Sequence, residues 1–408
     1  MSDFFQPGII STLHKLRDDG AARLESELRQ FKPHRPVGLV LPALYSEFET
    51  PSMARICSEL RDVDYLGRIV VAIGKCSREE YERARRFFDG FEAPVAAIWV
   101  EDPRIQELID LLQSEGVRVG EYGKGRTCWL AYGYLLAAGD VDVVALHDCD
   151  ILNYSREMLA RLVYPVANPN LGFEFCKAYY ARVSDRMHGR VCRLFFTPLV
   201  RAIQAMMPEI PYLRFLDSFR YALSGEFAMD ADLLRVNRIP SDWGLEVGVL
   251  AEVYRNCSLG RICQVEISDN YEHKHQDLSP DDASKGLRRM TCDIAKSLFR
   301  TLAEQGVVLS TDHFRTLEVF YMRSAQDTIR RYYADAVING LEFDLHQENT
   351  AVQAFAQSIR EAARQYQEDP LAMPPISNWN RVLSAVPDFF SRLLRATSDM
   401  QMPAASRR

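Results

Sequence analysis

The 408-residue chain has no C-x-x-C pair among its nine cysteines, no run of 18 apolar residues and no excess of positive charge. Each absence removes a class of protein. Scattered thiols argue against a disulfide framework or a zinc site and fit reduced cysteines in a cytoplasmic protein. Without a long apolar run, no membrane span is expected. The opening MSDFFQPGIISTLHKLRDDG carries charge inside its apolar part and lacks the layout of a signal peptide. A net charge of −7 argues against a nucleic-acid surface, while leaving room for a local basic pocket. There is no repeat at a fixed period and no low-complexity segment. What is present, 47% hydrophobic and 26% charged residues, is ordinary for a soluble globular chain of one large domain with an appendage, or of two to three domains.

Residues 1–35 read as an amphipathic helical extension ending near Pro33 and Pro36. Four strand-like runs follow: 37–44, 68–74, 94–100 and 141–148. Helical patterns separate them at 52–63, 77–91, 105–116 and 126–139. This alternation predicts βαβ crossovers and a mostly parallel sheet, whose ligands bind outside the carboxyl ends of the strands. Residues 155–279 are mixed, with strands expected near 170–183 and 262–268 and a helix from about 245. From 280 to 395 the chain reads as helical, starting at Ser-Pro-Asp-Asp, and 396–408 reads as a loose tail.

The run VDVVALHDCDILNY stops on two carboxylates, Asp148 and Asp150, about 6–7 Å apart along a strand of period two. Two like charges at a strand end invite a cation such as Mg²⁺ or Mn²⁺; a turn or helix cap is the plainer explanation. Gly123-Lys124-Gly125 precedes a helix, where glycines let backbone approach a phosphate, although P-loop spacing is absent. Taken alone, Lys124 reads as a solvated loop lysine. Glu246 lies at an apolar helix start, either compensating the helix dipole or facing a sugar. His273 and His275 follow the last strand and are either solvated or, for His273, a metal ligand.

LPAL (41–44), YGKG before a helix, the strand ending DCD, K-x-x-Y (177–180), GRV (189–191), GEFA (225–228), GLEVG (244–248) and EHKH (272–275) occur in this order. Together they resemble the glucosyl-3-phosphoglycerate synthase family, retaining glycosyltransferases of GT-A architecture, from about Leu39 to His275. The resemblance implies an α/β fold with a Rossmann-like nucleotide-sugar half at 36–154, an acceptor half at 155–279 and a mainly helical C-terminal region. It implies that Pro42, Ala43, Glu47, Lys124, Asp148 and Asp150 hold a UDP-glucose donor, and that Asp150 and His273 bind Mg²⁺ or Mn²⁺. Gly189, Arg190, Cys192 and His275 correspond to the site of a phosphorylated glycerate acceptor, 3-phosphoglycerate. Glu246, Lys124 and Asp150 are the expected catalytic positions, and a homodimer or higher homo-oligomer is the expected assembly.

Three positions depart from the family's pattern. Cys192 replaces a threonine, His275 replaces an asparagine, and Gly74-Lys75-Cys76-Ser77 lacks the acidic residue often found at the second strand's end. A mannosyl or other nucleotide-sugar donor, or a different glycerate-like acceptor, is the alternative within the enzyme class. A nucleotide-sugar-binding regulator is the alternative outside it.

Overall fold

The computed structural model describes residues 6, 8–272, 286–371 and 374–401. Their strands are β1 (Ser11–Leu13), β2 (Val37–Leu44), β3 (Leu66–Gly74), β4 (Val95–Trp99), β5 (Val143–Leu146), β6 (Phe175–Tyr180), β7 (Phe227–Asp230) and β8 (Ile262–Ser268). They form one sheet in the order β1-β8-β6-β7-β5-β2-β3-β4, parallel except that β7 runs antiparallel to β5 and β6. The central strands are nearly continuous apolar runs because helices cover both faces of a parallel sheet. All of Val37–Ala43 is buried, and so is the stretch Ile69–Gly74.

The chain passes from β2 outward through β3 to β4, then returns to place β5 on the other side of β2. Strand order therefore reverses between β2 and β5, the place where sheets of this kind form a ligand crevice at their carboxyl ends. Pairing of β5 with β2 ends at Val40↔Leu146, whereas β3 follows β2 to Leu44↔Gly74. Pro42 thus has a strand neighbour, Ala72, on one side only, which is where a residue without an N–H is tolerated in a sheet.

Two expectations change. Residues 1–35 are not helical throughout: Ser11–Leu13 pairs with Cys263–Val265 of β8, and only then does the helix Ala22–Phe31 follow. The β-branched Thr12 is buried at that sheet edge, and its hydroxyl accepts a hydrogen bond from Gln264 Nε2 at 2.9 Å. At the other end, residues 396–401 continue the helix Phe389–Gln401 instead of forming a loose tail. Leu393, Ala396 and Met400 recur on one face and are buried, with the helix packing on β4 and on the helices Pro103–Ser114 and Lys124–Ala138.

The C-terminal helices therefore serve two places. Trp379 stacks on Trp129 with ring centroids 4.1 Å apart and joins the last two helices to the helix Lys124–Ala138. The helices Thr311–Asn339 and Leu345–Glu368 pack instead against the turn Val191–Phe196, and the former also against the helix Thr197–Met206. No helix among the described residues is long and apolar enough to cross a membrane.

Candidate active site

β5 ends at Leu146, so His147–Asp150 run on outside the strand, with His147 N still donating to Val40 O at 3.1 Å. Cys149 is buried while Asp148 and Asp150 are half-buried at the mouth of the crevice. Glu47, in the turn after β2, joins them; its Oε2 accepts from Leu44 N at 3.1 Å. Three carboxylates thus converge from the ends of β2 and β5. Burial, then the charge of Asp148, pushes Asp150 up to about 7. Burial, then Asp150, pushes Glu47 up to about 8. Gly225 permits this crowding, since a Cβ there would lie 2.2 Å from Asp148 Oδ2.

Lys124 is the first residue of its helix and is not a solvated loop lysine. Its Nζ lies 2.7 Å from Asp148 Oδ1 and 3.1 Å from Glu246 Oε1. Burial alone works against this ammonium, but Asp148 and then Glu246 outweigh it and hold its pKa well above the ordinary lysine value. The flanking glycines have a different task from the expected approach to a phosphate. A Cβ on Gly125 would lie 1.9 Å from Pro240 O, and Gly125 N donates to Ser241 O at 3.2 Å. They bring the helix against the segment that leads into Glu246, in the first turn of Leu245–Asn256. Glu246 is buried and is held by Lys124, which goes beyond dipole compensation.

A second network, centred on motif residues to which the sequence alone assigns no role, backs this site. Glu226 is wholly buried and accepts from Tyr180 Oη at 2.8 Å, Tyr271 Oη at 2.5 Å and Ser224 Oγ at 2.9 Å. Three hydroxyl donors satisfy a charge that would otherwise be costly to bury. Tyr180 and Tyr271 stack with centroids 3.8 Å apart. Lys177, also wholly buried, donates to Ser224 O at 2.6 Å. Burial pulls its pKa down to about 8, against the opposing charges of Glu246 and Glu226. The K-x-x-Y and GEFA stretches are the signal for these residues, but their pairing is visible only in three dimensions.

After β3, where the family's acidic residue is missing, a carboxylate from another strand end comes near. Glu101, just beyond β4, accepts from Lys75 N at 2.7 Å, and Lys75 adopts a left-handed φ of 53°. Of the positions expected to take the acceptor, Gly189 and Arg190 precede the Val191–Phe196 turn and Cys192 is buried within it. Burial raises the Cys192 thiol above its usual range. Arg190 pairs with Glu348, remote in the chain, at 2.9 Å. Arg182, a residue that no motif marked, donates from Nη1 to Tyr221 Oη at 3.0 Å, and its buried Nε has no hydrogen-bond partner among the described residues.

His273 and His275 lie outside the described residues. The chain just before them is anchored: Leu152 N donates to Glu272 O at 2.8 Å and Tyr271 N to Ala181 O at 2.9 Å. Among the described residues no group of three or more His, Cys, Asp or Glu side chains is arranged to hold a metal ion. The donor set nevertheless fits a hard divalent cation. Burial first, and then the charge of a neighbouring carboxylate, raises Asp150 and Glu47, and a cation would offset both.

No family model matches the chain. A glucosyl-3-phosphoglycerate synthase of Persephonella marina is 47% identical over 399 residues, spanning 98% of this chain and 99% of that protein. One of Methanococcoides burtonii is 39% identical, spanning 97% of each. The crystal structure of a Mycobacterium tuberculosis glucosyl-3-phosphoglycerate synthase with Mn²⁺, UDP-glucose and phosphoglyceric acid aligns with a TM-score of 0.53 and 26% identity, covering 74% of this chain and 89% of that one. Another structure of that enzyme, with Mg²⁺ and UDP, aligns with the same TM-score and coverage at 25% identity. The reversal of strand order, the carboxylates at its carboxyl edge and the helical C-terminal region agree with the GT-A architecture. With such identity sustained over almost the whole length of two relatives, the chain belongs to the glucosyl-3-phosphoglycerate synthase family of glycosyltransferases.

Proposed function

We propose that the protein transfers glucose from UDP-glucose to the 2-hydroxyl of 3-phosphoglycerate with retention of anomeric configuration. The observation that carries this reading is Lys124, clamped between Asp148 and Glu246 at the crevice where strand order reverses. Pro42, Ala43 and Glu47 at the end of β2 take the uridine side, with Lys124 and Asp148 beside the nucleotide. Asp150 and His273 are the proposed ligands of Mg²⁺ or Mn²⁺; the support is that Glu272, the last described residue before His273, is bonded to Leu152, two positions after Asp150. The cation, when bound, supplies charge neutralisation for the departing diphosphate.

The chain's own residues orient the reaction. Lys124 holds a fixed positive charge beside the carboxylates, and Glu246, fixed by Lys124, orients hydroxyls of the sugar or acceptor. Attack comes from the face that the diphosphate leaves. The bond from the anomeric carbon to the acceptor oxygen forms as the bond to the phosphate oxygen breaks, and the acceptor hydroxyl proton passes to that phosphate oxygen. Gly189, Arg190 and Cys192 take the acceptor phosphate, with His275 as a further donor.

Incubation with UDP-glucose, Mg²⁺ and 3-phosphoglycerate, following UDP release, tests the reading. Release that depends on both substrates is expected; binding without release points to a regulator, and GDP release with GDP-mannose in place of an inactive UDP-glucose points to a mannosyl donor. Arg190→Ala is expected to raise the acceptor KM by about 10–100-fold, leaving the donor KM nearly unchanged. Eight of the nine free cysteines are buried, which fits the reducing cytoplasm proposed as the site of action. A homo-oligomer is also proposed, from the exposed Val319, Val337 and Ile338 on the helix Thr311–Asn339. Light scattering tests it, and a monomeric mass removes it.

A further inference from the structure

Arg190 meets its partner 158 positions along the chain, in the first turn of the helix Leu345–Glu368. Asp344 caps that helix by accepting from Gln347 N at 3.0 Å, and the turn presents Gln347 and Glu348 to the Gly189–Arg193 stretch. Glu348, 4% exposed, accepts from Arg190 Nε at 2.9 Å through Oε1 and from Arg193 Nη1 at 2.8 Å through Oε2. Gln347 Oε1 accepts from Arg190 Nη2 at 3.1 Å. Arg193 spends its remaining bonds locally, donating to His188 O at 3.0 Å and Met187 O at 3.3 Å. The same C-terminal hairpin grips the loop at two further points. Glu342 N donates to Asp185 O at 2.9 Å, and Tyr321 Oη donates to Leu194 O at 2.8 Å.

Two guanidiniums share one carboxylate, so the triad keeps a net positive charge. Arg193 is buried within the fold, whereas the Arg190 side chain is 30% exposed. With Nε and Nη2 engaged, Nη1 of Arg190 makes no hydrogen bond to the described residues. A guanidinium fixed on one edge has already lost the rotamer freedom that anion binding would otherwise cost. A surface arginine paired only with Asp185 would retain that freedom. Asp185 instead bonds to Arg186 at 2.9 Å, leaving Arg190 to the C-terminal helix.

We propose that Glu348 is a positioning residue for the acceptor: with Gln347 it holds the Arg190 guanidinium so that its remaining terminal nitrogen faces the acceptor phosphate. The inference rests on the reading of Arg190 as part of the acceptor site. It makes the C-terminal helical hairpin part of acceptor recognition.

Steady-state kinetics of the full chain with both substrates varied tests it. Glu348→Gln keeps the volume and one accepting oxygen but loses the charge, and is expected to raise the 3-phosphoglycerate KM about tenfold while the UDP-glucose KM and kcat stay within about twofold. Glu348→Asp, which restores charge with a shorter reach, is expected to recover part of the loss. A lower Tm with an unchanged acceptor KM makes the triad a structural clip and overturns the inference. Gln347→Ala removes an exposed side chain and serves if the Glu348 variants do not fold. A rise of about threefold in the same KM supports the inference, and no rise overturns it. Arg190→Ala separates the two levels. If it raises the acceptor KM and Glu348→Gln does not, only the positioning role fails; if Arg190→Ala changes nothing, the acceptor site itself is wrong.

Discussion

The proposed nucleotide and acceptor sites are charged by different means. On the nucleotide side, Glu47, Lys124, Asp148 and Asp150 sit within a few residues of a strand end or helix start, and the sheet's topology alone gathers them. On the acceptor side, Arg190 and Arg193 depend on a carboxylate from a helix that follows the whole sheet. The nucleotide side is crowded with like charges, and burial raises two of its carboxyls. The acceptor side has its buried carboxylate shared between two guanidiniums. A site built to receive a cation is frustrated without it, whereas a site built to receive an anion can be pre-set by a partner charge.

Removing the proposed metal ligand should break the nucleotide side most severely. Asp150→Ala, and likewise His273→Ala, is expected to lower turnover by about a thousandfold or more and to abolish the Mn²⁺-dependent part of UDP affinity. Calorimetry of UDP with and without Mn²⁺ reads this directly; an unchanged metal-dependent affinity in both variants removes the metal assignment.

Glu246→Gln should cut less deeply, by about a hundredfold in kcat, with UDP affinity retained. It leaves Lys124 paired to Asp148 but takes away the carboxylate proposed to face the transferred group. A loss of UDP affinity equal to the loss of rate would move Glu246 to the donor site.

Gly125→Ala sharpens the comparison by testing the close approach that builds the nucleotide side. Its Cβ has backbone, Pro240 O, at 1.9 Å, so the helix must shift away from Glu246. The expected cost is about 1–3 kcal/mol in stability together with a fall in kcat, read by thermal unfolding and kinetics on the same sample. Wild-type stability in the alanine variant would show that the helix moves freely there.

The smallest effect is a pH-dependent one. Asp150 has a folded-state pKa raised to about 7 from the ordinary 3.8, so the folded state binds this proton more tightly than the unfolded state does. Its contribution therefore falls as pH rises from about 4 through about 7 in the metal-free protein. A cation reverses the trend by replacing the proton, so Mn²⁺ should raise Tm by more at about pH 8 than at about pH 5.5. Equal Tm gains at both values, or a larger gain in acid, would contradict a shared proton-and-metal site at Asp150.

Much of the nucleotide side was readable from local pattern. The apolar runs at 37–44 and 262–268 became β2 and β8 with the same bounds, because buried strands announce themselves by composition. Carboxylates after such runs were candidates by position. The pattern failed where a residue's environment comes from elsewhere in the chain. Lys124 read as solvated because Asp148 and Glu246 are remote in sequence. Its neighbouring glycines read as phosphate-binding because the Pro240–Ser241 backbone they admit was invisible. Ser11–Leu13 was absorbed into a helical extension, since three residues are too short to show period two and only the open edge of β8 makes them a strand.

Sequence by itself determined the elements, the order of the motifs and the chemistry on offer at each strand end, because hydrophobic periodicity and residue type act over a few neighbouring positions. Tertiary structure alone decided which charges meet. Glu226 became tolerable in the core through Tyr180, Tyr271 and Ser224, and Arg190 found its partners in Glu348 and Gln347. Electrostatic and hydrogen-bond energies depend on separation in space, and the fold brings residues 158 positions apart to 2.9 Å.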